Sequence, residues 1–294
     1  MPTDNVHALG AATGYEQISC PRENIDAMRH AERSDFLGFP VDCITLKETL
    51  ALATAAMRSR RRLQHGDLNV AKFIDSRRDG NLRRSINESD VICADGMGIV
   101  WGCKLLALPV RERVTGIDLM MGVLELCAYQ GYRPYFLGAK QPVLEGVIGE
   151  VRRRYPQIEI AGARNGYFGS HEEECVVRDI RASGADCLFV GIASPIKEIF
   201  LNRHRDRLGV PLQLGVGGSF DVLAGCIPRA PIWMQRSGLE WLFRLWREPL
   251  RLGPRYLRTN TQYVIILAFA LARNVLAKRV GFGRGNASPA RNRN

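Results

Sequence analysis

The sequence predicts an α/β fold: a Rossmann-like, mostly parallel sheet with helices on both faces, extended by a basic amphipathic helical appendage at its C-terminal end. Three observations lead there. Short apolar runs bounded by turn residues alternate with longer segments of helical period, the pattern of strands buried between two helical layers. Glycine-bearing turns follow four of those runs, at the edge where such sheets bind ligands. From Arg229 onward there are thirteen Arg or Lys against two acids, Glu240 and Glu248, so this segment holds the whole net charge of +11.

Residues 1–36 carry no sustained apolar period and read as a mobile leader; with no apolar h-region among them, no signal peptide is expected. The expected catalytic domain, 37–228, opens with the strand FPVDCIT (39–45) and the helix LKETLALATAAM (46–57). Strands follow at DVICA (90–94), YRPYFLG (132–138), IEIAG (158–162), DCLFVG (186–191) and VPLQLGV (210–216). Helical periods lie between them at GIDLMMGVLELCAY (116–129), VLEGVIGEVRRRY (143–155) and ECVVRDIRA (174–182). Ser170 and Glu173 stand at capping-box spacing. Ser194 followed by Pro195 reads as a cap with proline at the first helical position, its free amides facing the crevice. The eight cysteines are scattered singly, without C-x-x-C or His at ligand spacing, and read as reduced thiols of a cytoplasmic protein.

The stretch SDVICADGMGIVWG (89–102) sets a carboxylate, Asp95, where a buried strand gives way to a helix. It is either an N-cap or a catalytic group at the crevice edge. Glycine turns at Gly96–Gly98, Gly138, Gly191 and Gly215–Gly218 would let backbone approach a phosphate, and several on one edge suit a nucleotide-sized ligand. None forms G-x-G-x-x-G or G-x-x-x-x-G-K-[ST]. Nor do any two aspartates stand at D-x-D spacing, so a departing diphosphate would be met by arginine, lysine and helix amides.

The segment 229–280 reads as a membrane-associating appendage, and 281–294 as a disordered tail. Arg244, Arg247, Arg251, Arg255 and Arg258 fall on one helical stripe flanked by Trp241, Trp246 and Tyr256, while Pro249 and Pro254 argue for short helices. Arginine interleaved with tryptophan fits a membrane interface better than a protein partner or RNA. The apolar run Tyr263–Ala272 is too short to span a bilayer, which takes about 20 residues, and reads as an interfacial or core helix. Deleting the appendage is expected to leave the α/β domain folded.

Taken together, ADGMGIVW, RVTGIDL (113–119), YFLGA (135–139), RNGYF (164–168), GIASPIKE (191–198), GVGGSFDVLAG (215–225) and RAPIWMQRSGLEWLFRLWREP (229–249) resemble the WecG/TagA/CpsF family of bacterial glycosyltransferases, in the same order and over roughly three quarters of the chain. The resemblance implies inverting transfer from a UDP-sugar to an undecaprenyl-diphosphate-linked sugar at the cytoplasmic membrane face, for cell-surface or exopolysaccharide synthesis. It implies neither cofactor nor metal, and no nucleic acid partner. It makes Asp95 the general base and sets Arg244 on the diphosphate, with Arg113 or Arg229 beside it. Asn69, Thr115, Asp118 and Glu198 would shape the sugar site, with Gly138, Ser194, Gly217 and Asp221 among the substrate-binding positions. Asp118 and Asp221 could equally be helix caps and Arg113 a structural ion-pair partner.

The chain departs from the family pattern twice. Asp67 stands where many members have the threonine of T-x-N, and Pro195-Ile196-Lys197-Glu198 where many have P-K-Q-E. Asp67 is a second acid at the site or a cap for the helix beginning near Val70; Lys197 meets a substrate anion or is a solvated first-turn lysine. Two other classes stay open: a nicotinamide-dependent Rossmann oxidoreductase and a non-enzymatic membrane- or partner-binding module.

Overall fold

The computed structural model describes residues 33–283. A hairpin of β1 (Arg33–Asp35) and β2 (Pro40–Asp42) opens it. Six further strands form one sheet: β3 (Leu63–Leu68), β4 (Val91–Ala94), β5 (Pro134–Gly138), β6 (Gly162–Arg164), β7 (Cys187–Gly191) and β8 (Leu212–Gly215). Their order is β4-β3-β8-β7-β5-β6, and every pair is parallel, as the alternation predicts. Around it lie α1 (Leu46–Ser59), α2 (Val70–Asp75), α3 (Gly80–Asn87), α4 (Met97–Leu105), α5 (Gly116–Gln130), α6 (Gln141–Arg154), α7 (Glu173–Ala182), α8 (Ile196–His204) and α9 (Ser219–Leu223). The chain closes with α10 (Ile232–Arg236), α11 (Glu240–Arg247) and α12 (Pro249–Gly283).

One apolar layer packs α1, α5 and α6 on the sheet through Leu50, Met120, Val123, Val147, Phe136 and Phe189. The other is built from Val176 and Ile180 of α7, Phe200 and Leu201 of α8, and Leu188 and Val190 of β7. Leu188 and Phe189 thus point to opposite layers, as the period of a doubly covered strand requires. The cysteines among the described residues are unbonded, with the Cys127 and Cys187 sulfurs 3.5 Å apart in the core.

Several expectations are corrected. FPVDCIT does not enter the parallel sheet. Its Asp42 is buried, pairs with Arg33 at 2.7 Å and accepts the Ile92 amide at 2.6 Å, so the strand ends as a hairpin sewn to the β4 edge. Residues 33–36, assigned to the leader, belong to that hairpin, and Phe36 is fully buried. IEIAG gives way to Gly162–Arg164, because the ladder with β5 opens only where the Ala161 amide reaches the Pro134 carbonyl, while Ile158 turns into the core. The Ser170–Glu173 box does not form: Glu172 heads α7 and its carboxylate takes the Gly169 amide instead. Nor is Ser194 the cap of α8; Pro195 is, one residue later.

The appendage is built differently from a chain of short helices. Pro249 starts α12, but Pro254 lies inside it, where its missing N–H costs the helix only one i−4 bond near its first turn. The arginine stripe breaks instead at Glu248, whose non-helical backbone, with φ −134° and ψ 60°, separates α11 from α12. The apolar run then returns to the domain. Tyr263 and Leu267 are buried against Phe36, Phe39, Phe73 and Ile99, and the Tyr263 hydroxyl donates to the Gly98 carbonyl at 2.6 Å. Val264, Ile265 and Phe269 on the other side are exposed. Because its removal would uncover Phe36 and Phe73, the appendage is no detachable unit.

At the carboxyl end of β5, Gly138 holds φ +140°, and a Cβ there would lie 2.5 Å from the carbonyl of Gly191 on β7. Gly138→Ala is therefore expected to cost about 2 kcal/mol or more, lowering Tm by about 5 °C. A variant melting with the native chain would show that the two strands can part there freely.

Candidate active site at the carboxyl ends of the strands

Asp95 follows the last residue of β4, and its amide donates to the Leu68 carbonyl of the neighbouring strand. Gly96, not Asp95, is the cap residue of α4, so the N-cap reading fails. Among the described residues nothing donates a hydrogen bond to the Asp95 carboxylate. Burial raises its pKa and the negative charge of Asp67 raises it further, while Lys72, Arg244 and Arg113 pull the other way. A carboxylate that is half-buried, unpartnered and made more basic is suited to taking a proton.

Beside it lies a buried ring of alternating charge. Lys72 Nζ stands 2.6 Å from Asp67 and 2.8 Å from Glu198; Lys197 Nζ stands 3.3 Å from Asp67 and 3.0 Å from Glu198. Burial opposes ionisation of both carboxyls, but the two lysines outweigh it, holding Asp67 far below the usual carboxylate range and Glu198 at about 2. His65, fully buried next to them, is pushed down to about 4 and is neutral. The cap of α2 is Asn69, whose side chain accepts the Lys72 amide, so Asp67 is no cap. Lys197 is not a solvated lysine either; it donates to the Gly215 carbonyl at 3.1 Å and ties the ring to β8.

A second cluster hangs on Glu240. This buried carboxylate takes Arg113 at 3.0 Å on one oxygen and Arg244 at 3.2 Å on the other. Arg113 is mostly covered, whereas Arg244 is half exposed and faces solvent with the rest of its guanidinium. A third joins Arg229 to Asp118 at 2.6 Å, and the same carboxylate accepts the Thr115 hydroxyl at 2.6 Å. Thr115, not Asp118, caps α5, so Asp118 is the link between that cap and Arg229.

The remaining candidates line the strand ends, Gly217 beside the Lys197 stem. Gly217 turns with φ +53° and gives its amide to the Val190 carbonyl. Ser194 is exposed before α8, and Asp221 lies in the first turn of α9, whose cap is Gly218. The structure thus sets Asp67, Lys72, Arg113 and Arg244 in the electrostatic field of Asp95, ties Asn69 to them through Lys72, and places Thr115 and Asp118 at the start of α5, where Arg229 reaches them from the loop before α10. Sequence reasoning missed Lys72 and Glu240. Lys72 carried no local signal, because α2 has only six residues and the lysine falls in its last turn, an ordinary place for a cation.

The family model described as the glycosyl transferase WecG/TagA/CpsF family matches residues 34–277. Curated relatives named N-acetylglucosaminyldiphosphoundecaprenol N-acetyl-beta-D-mannosaminyltransferase include one from Bacillus spizizenii, 37% identical over 166 residues, which is 56% of this chain and 64% of that protein. The Bacillus subtilis relative is 34% identical over the same shares. The one from Staphylococcus aureus is 33% identical over 168 residues, 57% of this chain and 65% of its own length. The chain thus spans just under two thirds of the length of these relatives.

Proposed function

Given that the chain belongs to the WecG/TagA/CpsF glycosyl transferase family, we propose that it moves a sugar from a UDP-sugar to an undecaprenyl-diphosphate-linked acceptor in cell-surface polymer synthesis. The observation that carries this reading is the Asp95 carboxylate at the crevice edge, made more basic, without a hydrogen-bond donor among the described residues and with Arg113 and Arg244 in its field. The acceptor hydroxyl gives its proton to Asp95 as its oxygen attacks the anomeric carbon. The bond from that carbon to the diphosphate oxygen breaks on the opposite face, so configuration inverts and UDP leaves with the electron pair. Arg244 and Arg113, oriented by Glu240, meet the growing negative charge in place of a D-x-D-bound cation. The relatives' names, which specify a diphosphoundecaprenol-linked acceptor, support the same acceptor class.

No helix among the described residues is long and apolar enough to cross a membrane. The exposed side chains of Trp233, Trp246, Leu250, Leu257 and Phe269, next to Arg247 and Arg255, favour docking on an anionic bilayer surface, where the lipid-linked acceptor resides. Binding to vesicles of anionic lipid is expected to weaken severalfold as salt rises from about 0.05 to 0.5 M, since the Debye length contracts over that range. Sedimentation with vesicles measures it, and affinity indifferent to both salt and lipid charge would remove the electrostatic part of this reading.

The deciding experiment is UDP release from a panel of UDP-sugars in micelles carrying polyprenyl-diphosphate-linked N-acetylglucosamine. Acceptor-dependent release from one donor, unchanged by chelator, is the expected result. Silence across the panel beside an active relative, with no change in melting temperature on adding UDP, would overturn it.

A further inference from the structure

Four charged side chains that the sheet core does not need are buried together behind Asp95: Asp67 at the end of β3, Lys72 in α2, and Lys197 and Glu198 in the first turn of α8. Each ammonium is shared between the same two carboxylates, closing a ring of net charge zero. Such a ring offers neither a cation nor an anion site, and burying it is costly; ion pairs of this kind are often no better for stability than apolar packing. Its place in the fold gives it another use. Register sets Asp67 opposite Cys93, two residues before Asp95, and the Asp95 amide bonds to the carbonyl that follows Asp67. The two carboxylates therefore end adjacent parallel strands.

The ring also makes Asp67 permanent. Bound by two lysines, it keeps its charge at any ordinary pH, and that charge makes Asp95 hold a proton more tightly. The groups working against it at Asp95 are Lys72 of α2, Arg244 of α11 and Arg113 of the loop before α5. Lys72 is engaged by two carboxylates, and both arginines by Glu240, which blunts all three. Asp67 and Lys197 are, moreover, two of the three positions, Ile196 being the third, where the chain departs from the T-x-N and P-K-Q-E patterns, and they are paired with each other.

We propose that Asp67 is a positioning residue for the transfer reaction: pinned by Lys197 and Lys72 at the end of the strand beside Asp95, it holds a fixed negative charge behind the carboxylate that takes the acceptor's proton. This rests on Asp95 acting as the base in the reaction proposed above. It also gives the Asp67 and Lys197 departures one cause, since without Lys197 two buried carboxylates, Asp67 and Glu198, would have to share Lys72 alone.

The test follows the Asp95 carboxyl by carbon-13 NMR through a pH titration of the full chain. It compares the native protein with Asp67→Asn and with the double variant Asp67→Thr, Lys197→Gln, which removes one charge of each sign. In both variants the Asp95 midpoint is expected to fall by about one pH unit. The acid limb of kcat/KM moves with it, kcat drops about threefold, and KM changes little. An unmoved midpoint in the charge-balanced double variant overturns the proposal even where Asp67→Asn fails to fold. A moved midpoint in a protein that transfers no sugar upholds the field of Asp67 on Asp95 and rejects the reaction instead.

Discussion

Asp95→Asn is expected to lower kcat by about 10²–10⁴-fold while leaving the melting temperature and vesicle binding near native. Asparagine keeps the shape of the side chain and removes its capacity to take a proton. The fold has little stake in that carboxylate: it caps no helix, and among the described residues nothing donates to it. The strand end is held by its backbone, through the amide bonded to Leu68. Single-turnover measurement of UDP release at fixed acceptor isolates the chemical step. A variant retaining more than about a tenth of native turnover would move the base elsewhere, since positioned proton transfer contributes at least that much.

The largest effect on stability is expected at Lys72. Its ammonium touches Asp67 and Glu198 and donates to the Asp67 carbonyl, all in the interior. Lys72→Met fills similar space but leaves two buried carboxylates to share Lys197, a loss of about 3–5 kcal/mol or a Tm about 10 °C lower. The pH dependence has a definite sign. Both carboxyls have depressed pKa values in the native protein, so their contribution is present above the ordinary carboxylate range. For Glu198 it is lost as pH falls from about 4.5 towards 2, and for Asp67 lower still. In Lys72→Met the native-state pKa values rise towards and past the ordinary ones, so the gap between variant and native narrows as the solution is acidified. Urea unfolding at pH 7 and pH 4 measures this; an equal gap at both would mean that the lysine contributes packing alone.

The apolar strands β4, β5, β7 and β8 were legible because each is a short hydrophobic run whose period needs no partner to be read. Strand β3 was not. LQHGDL carries Gln64, His65 and Asp67 into the interior of the sheet, and what makes Asp67 tolerable there lies far away: Lys197, 130 residues on. Polar residues compensated over such separations look like a loop in a local window. The same limit hid Glu240, which became meaningful only when α11 brought it to Arg113, 127 residues earlier in the chain. Asp95, by contrast, was visible from its immediate neighbours, because a strand, a carboxylate, two glycines and a helix follow one another without interruption.

The helix α12 presses Tyr263 into α4 so closely that a Cβ on Gly102 would lie 2.1 Å from the phenol oxygen, and the same ring is bonded to Gly98, three residues beyond Asp95. Chimeras are constrained accordingly. A tail transplanted from a relative to change lipid preference has to bring residues that fit Gly98, Gly102, Phe36 and Phe73, or the loop bearing the base shifts with it. In this chain the C-terminal segment and the opening hairpin form one inheritable block, and sequence variation in the two is expected to travel together.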